Sequence, residues 1–158
     1  MRATLLLTAT LLAAACSPSP EPGPPSIQGA WIREAPPGAS MTAGYMTVEN
    51  PGGKDIELVE VRSDDFESIE LHVTVTEDGV ARMRREDSVV VPASGSVEFA
   101  PGGRHLMLFG QARPLAEGDS VQLVIGLADG TELRGTAAVV RGGHDHHGRQ
   151  ARSESSKK

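Results

Sequence analysis

Residues 70–109, ELHVTVTEDGVARMRREDSVVVPASGSVEFAPGGRHLMLF, show most clearly what kind of protein the chain forms. Short runs rich in Val, Thr, Leu and Phe are separated by groups such as Asp78-Gly79 and Pro101-Gly102-Gly103. β-branched and aromatic residues suit extended strands, whereas Gly, Pro and Asp suit tight turns. The stretch therefore predicts a series of short strands joined by turns.

The same pattern continues on both sides of this stretch, with turn signals at Asn50-Pro51-Gly52-Gly53 and Asp129-Gly130. No convincing amphipathic helix is present, although residues 61–71 are able to hold a helical turn. Regular short strands predict an all-β sandwich or barrel in a single domain. The predicted strands are residues 27–34, 44–49, 56–62, 68–76, 80–84, 88–91, 96–99, 105–109, 120–127 and 131–139.

Four residues of this stretch are candidate metal ligands: His72, Met83, His105 and Met107. His105 and Met107 are two apart in an apolar strand, so both project from one face. If residues 76–79 form the hairpin turn, His72 and Met83 lie nearly opposite each other, and a bulge there shifts this register by one. The spacing permits two ligand pairs, and the fold decides whether they converge. Imidazoles and thioethers suit Cu(I).

Each candidate ligand also has a structural interpretation. Met107 lies in an apolar run and could fill the core, and His72 could be a half-buried strand histidine. Met83 stands between two arginines, where an exposed methionine has no obvious packing role. Packing, and not metal binding, is the expected role of four further residues: Met41, Met46, Trp31 and Tyr45.

The spacing of the four candidates resembles a known copper motif. Ten residues separate His72 from Met83, twenty-one separate Met83 from His105, and one separates His105 from Met107. This spacing is similar to that of the PCuAC family of bacterial periplasmic copper chaperones. Further stretches that resemble the family are residues 30–38, 43–47, 70–72 and 78–83.

The resemblance implies a cupredoxin-like Greek-key β-sandwich or barrel that binds one Cu(I) near its surface. It also implies delivery of copper to the binuclear copper centre of cytochrome c oxidase, directly or through a thiol-bearing copper assembly protein. The protein is therefore expected to be a carrier and not an enzyme. We expect a monomer.

The N-terminus predicts export and attachment to a membrane. Residues 1–15 combine a basic start, a short apolar run and small residues before Cys16, which resembles a bacterial lipoprotein signal. We expect Cys16 to be lipidated and the proline-rich residues 16–27 to act as an extended linker. An ordinary secretory signal is the alternative. The expected location is the periplasm or cell envelope.

Cys16 is also the only cysteine of the chain, so an intrachain disulfide is excluded. Thioredoxin-like redox chemistry, cysteine nucleophiles and blue-copper centres all need a thiolate in the folded domain. Residues 28–140 contain 9 basic and 18 acidic residues, a balance that disfavours nucleic-acid binding.

Residues 141–158 have the polar composition of a disordered tail and contain His144, His146 and His147. A histidine cluster of this kind binds Cu(II), Ni or Zn loosely. Similar extensions occur in members of the resembling family, where they look like a second, Cu(II)-favouring site. The tail is therefore a possible second Cu(II) site.

Other functions remain open from the sequence. Envelope copper buffering or tolerance would use the same four ligands, and a metal-free β-sandwich that binds protein or glycan would use none of them. Hydrolytic motifs such as Gly-x-Ser-x-Gly and His-Glu-x-x-His are absent from the sequence. Four arginines near the ligands are either solvated charges or a docking rim for an acidic acceptor: Arg82, Arg84, Arg85 and Arg104.

Overall fold

The computed structural model describes residues 23–142, which form ten β-strands. Each strand overlaps one of those predicted, so the all-β prediction is confirmed. Residues 23–142 contain no α-helix, and therefore none long and apolar enough to cross a membrane. The strands are β1 Ser26–Arg33, β2 Met41–Asn50, β3 Ile56–Arg62, β4 Phe66–Glu77, β5 Val80–Arg85, β6 Val89–Val91, β7 Gly95–Phe99, β8 Arg104–Gln111, β9 Ser120–Leu127 and β10 Glu132–Val140.

The helical turn considered for residues 61–71 is wrong. β3 ends at Arg62 and β4 begins at Phe66, and the Phe66 amide donates to the Ser63 carbonyl at 3.4 Å. The chain thus reverses within three residues, which leaves no room for a helical segment. Val61 and Phe66, on either side of the reversal, are buried in the core.

The strands form one curved sheet in the order β5-β4-β8-β2-β1-β10-β9-β3-β6, with β7 paired to β2. A pairing between Val61 of β3 and Ile69 of β4 closes seven of these strands into a barrel. β5 and β6 lie outside the barrel at the two ends of the order. β1 pairs with β10 in parallel, and the other pairings within residues 23–142 are antiparallel.

The barrel interior is an apolar core to which nearly every strand contributes. Its fully buried members include Val48, Leu58, Leu106, Leu108 and Ile125. Burying one such side chain contributes roughly 1.5–3 kcal/mol. Alternation along β8 directs Leu106 and Leu108 inwards, so the residues next to them in the strand face outwards. The outward-facing residues of β8 are therefore not needed to fill the barrel core.

Two aromatic residues pack outside this main cluster. Trp31 and Tyr45 are paired across β1 and β2, and their ring centroids lie 4.3 Å apart. Both are buried, as expected for packing residues. Tyr45 follows the last residue of β2 that pairs with β8, so this aromatic pair borders the outer face of β8. The two expected packing methionines differ, since Met46 is 2% exposed and Met41 is 46% exposed.

The turn between β4 and β5 has only two central residues. Glu77 pairs with Val80, and Asp78 and Gly79 have φ angles of 52° and 78°. Positive φ at both positions is the backbone of a type I′ turn, which Asp-Gly favours. This short turn fixes the register between β4 and β5.

Candidate metal centre

His72 and His105 lie directly opposite each other on neighbouring strands. They form a register pair between β4 and β8, and their ring centroids are 5.9 Å apart with the planes tilted by 45°. His105 is only 5% exposed and His72 is half-buried. Two imidazoles at this separation are close enough to share one ion after small side-chain adjustments.

Met107 is the next residue along β8 on the same face as His105. It pairs with Glu70 on β4 and with Ala43 on β2, and it is half-buried. The side-chain alternation of a strand therefore brings His105 and Met107 together on one face, as the sequence predicts. The neighbour of Met107 on the β2 side, Ala43, has a small side chain.

Met83 lies on the same face but not in the predicted position. It pairs with Thr74, whereas His72 pairs with Arg85. The expectation that His72 and Met83 lie nearly opposite each other is therefore wrong, because the turn is centred between Asp78 and Gly79, one residue later than expected, which shifts the partner of His72 by two positions. Because side chains alternate with a period of two, a shift of two positions leaves Met83 on the same face of the sheet as His72. Met83 is then a diagonal neighbour of His72, roughly 7–8 Å away between Cα atoms.

The exposure of Met83 sets it apart from the other three. It is 62% exposed and stands on β5, which ends the strand order of the sheet. Three candidate ligands thus lie on β4 and β8, and the fourth approaches from the edge. A long, flexible thioether side chain is well suited to cover that diagonal distance.

A hydrogen bond determines which nitrogen His105 offers. Its Nδ1 lies 3.1 Å from the carbonyl oxygen of Gly103. A carbonyl oxygen only accepts, so Nδ1 carries the hydrogen and donates it. In the neutral ring the lone pair is then on Nε2, the nitrogen that a metal would use.

His72 forms its hydrogen bond through the opposite ring nitrogen, Nε2. Its Nε2 lies 2.8 Å from Oε2 of Glu70, and its Nδ1 is buried without a hydrogen-bond partner in residues 23–142. A buried polar atom left unsatisfied costs about 1–3 kcal/mol. Such atoms are rare in native structures and call for an explanation, such as a missing ion. The buried Nδ1 atom is therefore an observation that fits a metal ligand.

Glu70 is held by a second partner. Nη1 of Arg85 lies 3.0 Å from its Oε1, so each carboxylate oxygen meets one donor. The hydrogen bond from His72, followed by the charge of Arg85, holds the pKa of Glu70 below its ordinary value. Glu70 therefore remains an ionised acceptor at neutral pH.

The four arginines near the site are all ion-paired. Arg82 and Arg84 contact Glu77, and Arg85 contacts Glu70. Arg104 forms a bidentate ion pair with Glu86: its Nε donates to Oε2 at 2.8 Å and its Nη2 donates to Oε1 at 3.0 Å. This hydrogen bonding raises the pKa of Arg104. The local charge is therefore close to balanced, and a docking role for these arginines remains a prediction.

The donor set fits a soft ion. Within residues 23–142 no three His, Cys, Asp or Glu side chains are grouped to hold a metal, so a metal site here needs the methionines. Two neutral imidazoles and two thioethers favour Cu(I). Cys16, His144, His146 and His147 lie outside the described residues.

Sequence reasoning did not single out Glu70 or Gly103, which bond the two imidazoles. Glu70 stands two positions before His72 in the same strand, and that spacing places both on one face. A second signal is that Glu70 belongs to residues 70–72, one of the stretches that resemble the family. The acceptor at Gly103 is a backbone carbonyl, which every residue has, so its role is not visible in the sequence.

Comparison with known proteins assigns the chain to a family. The family model described as "Putative lipoprotein LpqE-like" matches residues 26–139. A curated relative, "Putative lipoprotein Lxx21020" of Leifsonia xyli subsp. xyli, is 33% identical over 122 residues, which cover 77% of this chain and 72% of the relative.

Solved structures agree with the fold. The copper-bound PCuAC domain of PmoF2 superposes with a TM-score of 0.64 at 26% identity, covering 77% of this chain and 96% of that domain. The Cu(I) form of DR1885 from Deinococcus radiodurans has a TM-score of 0.63 at 32% identity, covering 76% of this chain and 80% of that chain. The cupredoxin-like fold is thereby confirmed, and the chain belongs to the LpqE-like lipoprotein family and to the PCuAC family that the spacing of its candidate ligands resembles.

Proposed function

We propose that this protein is an extracytoplasmic copper chaperone that binds one Cu(I) through His72, Met83, His105 and Met107. The observation that carries the proposal is the buried, unpartnered Nδ1 of His72, across the strand pair from His105. Both methionines lie on the same face of the sheet. The similar PmoF2 and DR1885 structures are described as bound to copper and to Cu(I), which supports the choice of ion.

The chemistry of these ligands supports a carrier and not an enzyme. A neutral His and Met set favours the +1 state of copper. Thioethers hold Cu(I) less firmly than thiolates do, which suits an ion that must be passed on. The folded domain has no thiol to oxidise, although its methionines are open to sulfoxide formation.

An anaerobic Cu(I) titration of the protein against a competing chelator tests the binding site. We expect one tight equivalent in the wild type and a large loss of affinity in His105→Ala and Met107→Ala. The matched control is Met41→Leu, which removes an exposed methionine that matches no motif position. Equal binding by all variants would remove the proposed ligands.

The proposed destination is the copper centre of cytochrome c oxidase, reached directly or through a thiol-bearing copper assembly protein. Copper buffering at the envelope would use the same site without a dedicated acceptor. Mixing the Cu(I)-loaded protein with an apo oxidase copper domain separates the two. Transfer within minutes supports delivery, whereas retention of copper supports buffering.

The arginines are proposed to guide that acceptor, provided that it is acidic. The double variant Arg82→Glu, Arg84→Glu is suitable because these two residues contact Glu77 and not the histidine partner Glu70. We expect slower transfer and unchanged Cu(I) affinity. Unchanged transfer rates would leave these arginines as ordinary surface charges.

We further propose that lipidated Cys16 anchors the protein in the envelope and that the tail histidines form a second, Cu(II) site. At about 3.1 Å per residue, an extended linker over residues 16–25, which precede β1, would hold the domain roughly 30 Å from the membrane. Replacing His144, His146 and His147 with alanine tests the second site. An unchanged Cu(II) stoichiometry would exclude it.

A further inference from the structure

We propose that Glu70 is a positioning residue that fixes His72 in the tautomer carrying its hydrogen on Nε2, so that His72 binds copper through Nδ1 while His105 binds it through Nε2. The inference deepens the proposed function, since it assigns roles within the same site. It concerns the metal-free protein first, because the tautomer is set before any ion arrives.

The first support is the direction of each hydrogen bond. An ionised carboxylate can only accept, so the 2.8 Å contact with Glu70 requires the hydrogen to sit on Nε2 of His72. The opposite nitrogen of the ring is the buried atom without a partner. Glu70 therefore leaves the lone pair of His72 on the buried nitrogen, on the side of the ring opposite the carboxylate.

The second support is that Glu70 is itself held in place. Its other oxygen accepts from Arg85 at 3.0 Å, and Arg85 is the register partner of His72 on β5. The carboxylate is thus fixed between one donor on its own strand and one on the neighbouring strand. A partner of this kind typically changes metal affinity by about 10–100-fold when removed.

The third support is the contrast with His105. Its Nδ1 donates to the backbone carbonyl of Gly103, so its free nitrogen is Nε2. The two rings face each other at 5.9 Å with different nitrogens available. A side-chain substitution can alter the partner of His72 but not the backbone carbonyl that holds His105.

Direct coordination of copper by Glu70 is the competing role for the carboxylate. Both of its oxygens are already engaged, one by His72 and one by Arg85. Binding an ion would require at least one of these bonds to break. A hard carboxylate is also a poor match for Cu(I). The positioning role needs no rearrangement.

Long-range ¹H–¹⁵N NMR of the metal-free protein tests the tautomer directly. The ¹⁵N shifts and ¹H–¹⁵N couplings of a neutral imidazole show which of its two nitrogens carries the hydrogen. We expect a hydrogen on Nε2 of His72 and on Nδ1 of His105. In Glu70→Ala, His72 should become a mixture of both tautomers while His105 is unchanged, and the unchanged ring also reports that the variant is folded.

Cu(I) affinity of the same variants completes the test. We expect Glu70→Ala to bind about 10–100-fold more weakly and Glu70→Gln, whose amide oxygen still accepts from Nε2, to recover much of the loss and keep the tautomer. The control is Glu98→Ala on β7, an exposed strand carboxylate that makes no ion pair in residues 23–142.

The inference is overturned by a hydrogen on Nδ1 of His72 in the wild type, or by an unchanged His72 tautomer in Glu70→Ala. A loss in Glu70→Gln as large as in Glu70→Ala would also overturn it, in favour of direct carboxylate coordination. Failure of the proposed function has a different signature, namely that His105→Ala binds Cu(I) like the wild type.

Discussion

The two methionines of the candidate site differ in how firmly their side chains are held. Met107 is half-buried between β4 and β2, whereas Met83 is 62% exposed on β5. Ordering a free methionine side chain costs up to about 1.5–2 kcal/mol of conformational entropy. Met83 has to lose this freedom when it binds a metal, but Met107 has lost part of it on folding.

We therefore predict that Met107→Leu weakens Cu(I) binding more than Met83→Leu does. Each change should cost about tenfold or more, which corresponds to ~1.4 kcal/mol. Leucine retains most of the volume, so stability should change little. Chelator competition measures the affinities, with Met41→Leu as the control that should behave as wild type. The reverse order would show that exposure does not weaken the Met83 contribution.

The identity of the four candidate ligands is readable from the sequence, but the nitrogens that they offer are not. The resemblance of their spacing to the copper motif of the PCuAC family selects His72 and His105. The choice between Nδ1 and Nε2 depends on Glu70 and on the Gly103 carbonyl, which the folded chain brings to each ring. No local pattern specifies a backbone acceptor.

The β4–β5 hairpin determines where the fourth ligand lies. Asp78-Gly79 correctly predicts a turn there, but the sequence left open on which residues the turn is centred. A turn centred between Glu77 and Asp78 and one centred between Asp78 and Gly79 differ in register, and only the latter pairs Met83 with Thr74. Both registers keep Met83 and His72 on one face of the sheet. The wrong register expectation therefore changes the distance between the two residues but not the face on which they lie.

Inserting one glycine between Asp78 and Gly79 tests the importance of this register. A one-residue slip turns every side chain of a strand to the opposite face. We expect Met83 to leave the site and Cu(I) affinity to fall to the level of Met83→Leu.

The control insertion is one glycine between Asp129 and Gly130, a turn between β9 and β10, which should leave affinity unchanged. Wild-type affinity in the first insertion variant would mean that a bulge absorbs the extra residue, or that Met83 is not a ligand.

The closed barrel gives the site its rigid base. Closure depends on the Val61–Ile69 pairing, and the parallel pairing of β1 with β10 joins the two ends of the described chain. Local patterns predicted all ten strands, yet none of them indicates which distant strands become neighbours. The resemblance to a known family indicated a Greek-key sandwich or barrel, but not the order of its strands.

We predict that Leu106→Ala lowers the free energy of unfolding by about 2–5 kcal/mol, because it leaves a cavity in the core between two candidate ligands. Val90→Ala, at a position 54% exposed on β6, should stay within about 0.5 kcal/mol of wild type. Chemical denaturation measures both. A small effect of Leu106→Ala would mean that the barrel collapses around the missing side chain.

An ion pair at the end of β10 should make stability depend on pH. The hydrogen bond from Arg141 holds the pKa of Glu34 below its ordinary value of 4.5. Its stabilising effect is therefore fully present above 4.5 and is lost as the pH falls through the lower, folded value. The stability difference between wild type and Glu34→Gln should be largest at neutral pH and should vanish in acid.

Urea unfolding at several pH values measures that difference, and Glu98→Gln serves as the control with no such trend. A difference that grows as the pH falls would contradict the assignment of the ion pair.

The position of Met83 at an open sheet edge has a kinetic consequence. If His72 and His105 bind the ion as proposed, an incoming sulfur ligand can approach it from that edge while both imidazoles remain bound. Copper exchange should then be associative, with a rate that rises in proportion to acceptor concentration and does not level off at the rate of spontaneous loss. The ion would pass between proteins without ever being free in solution.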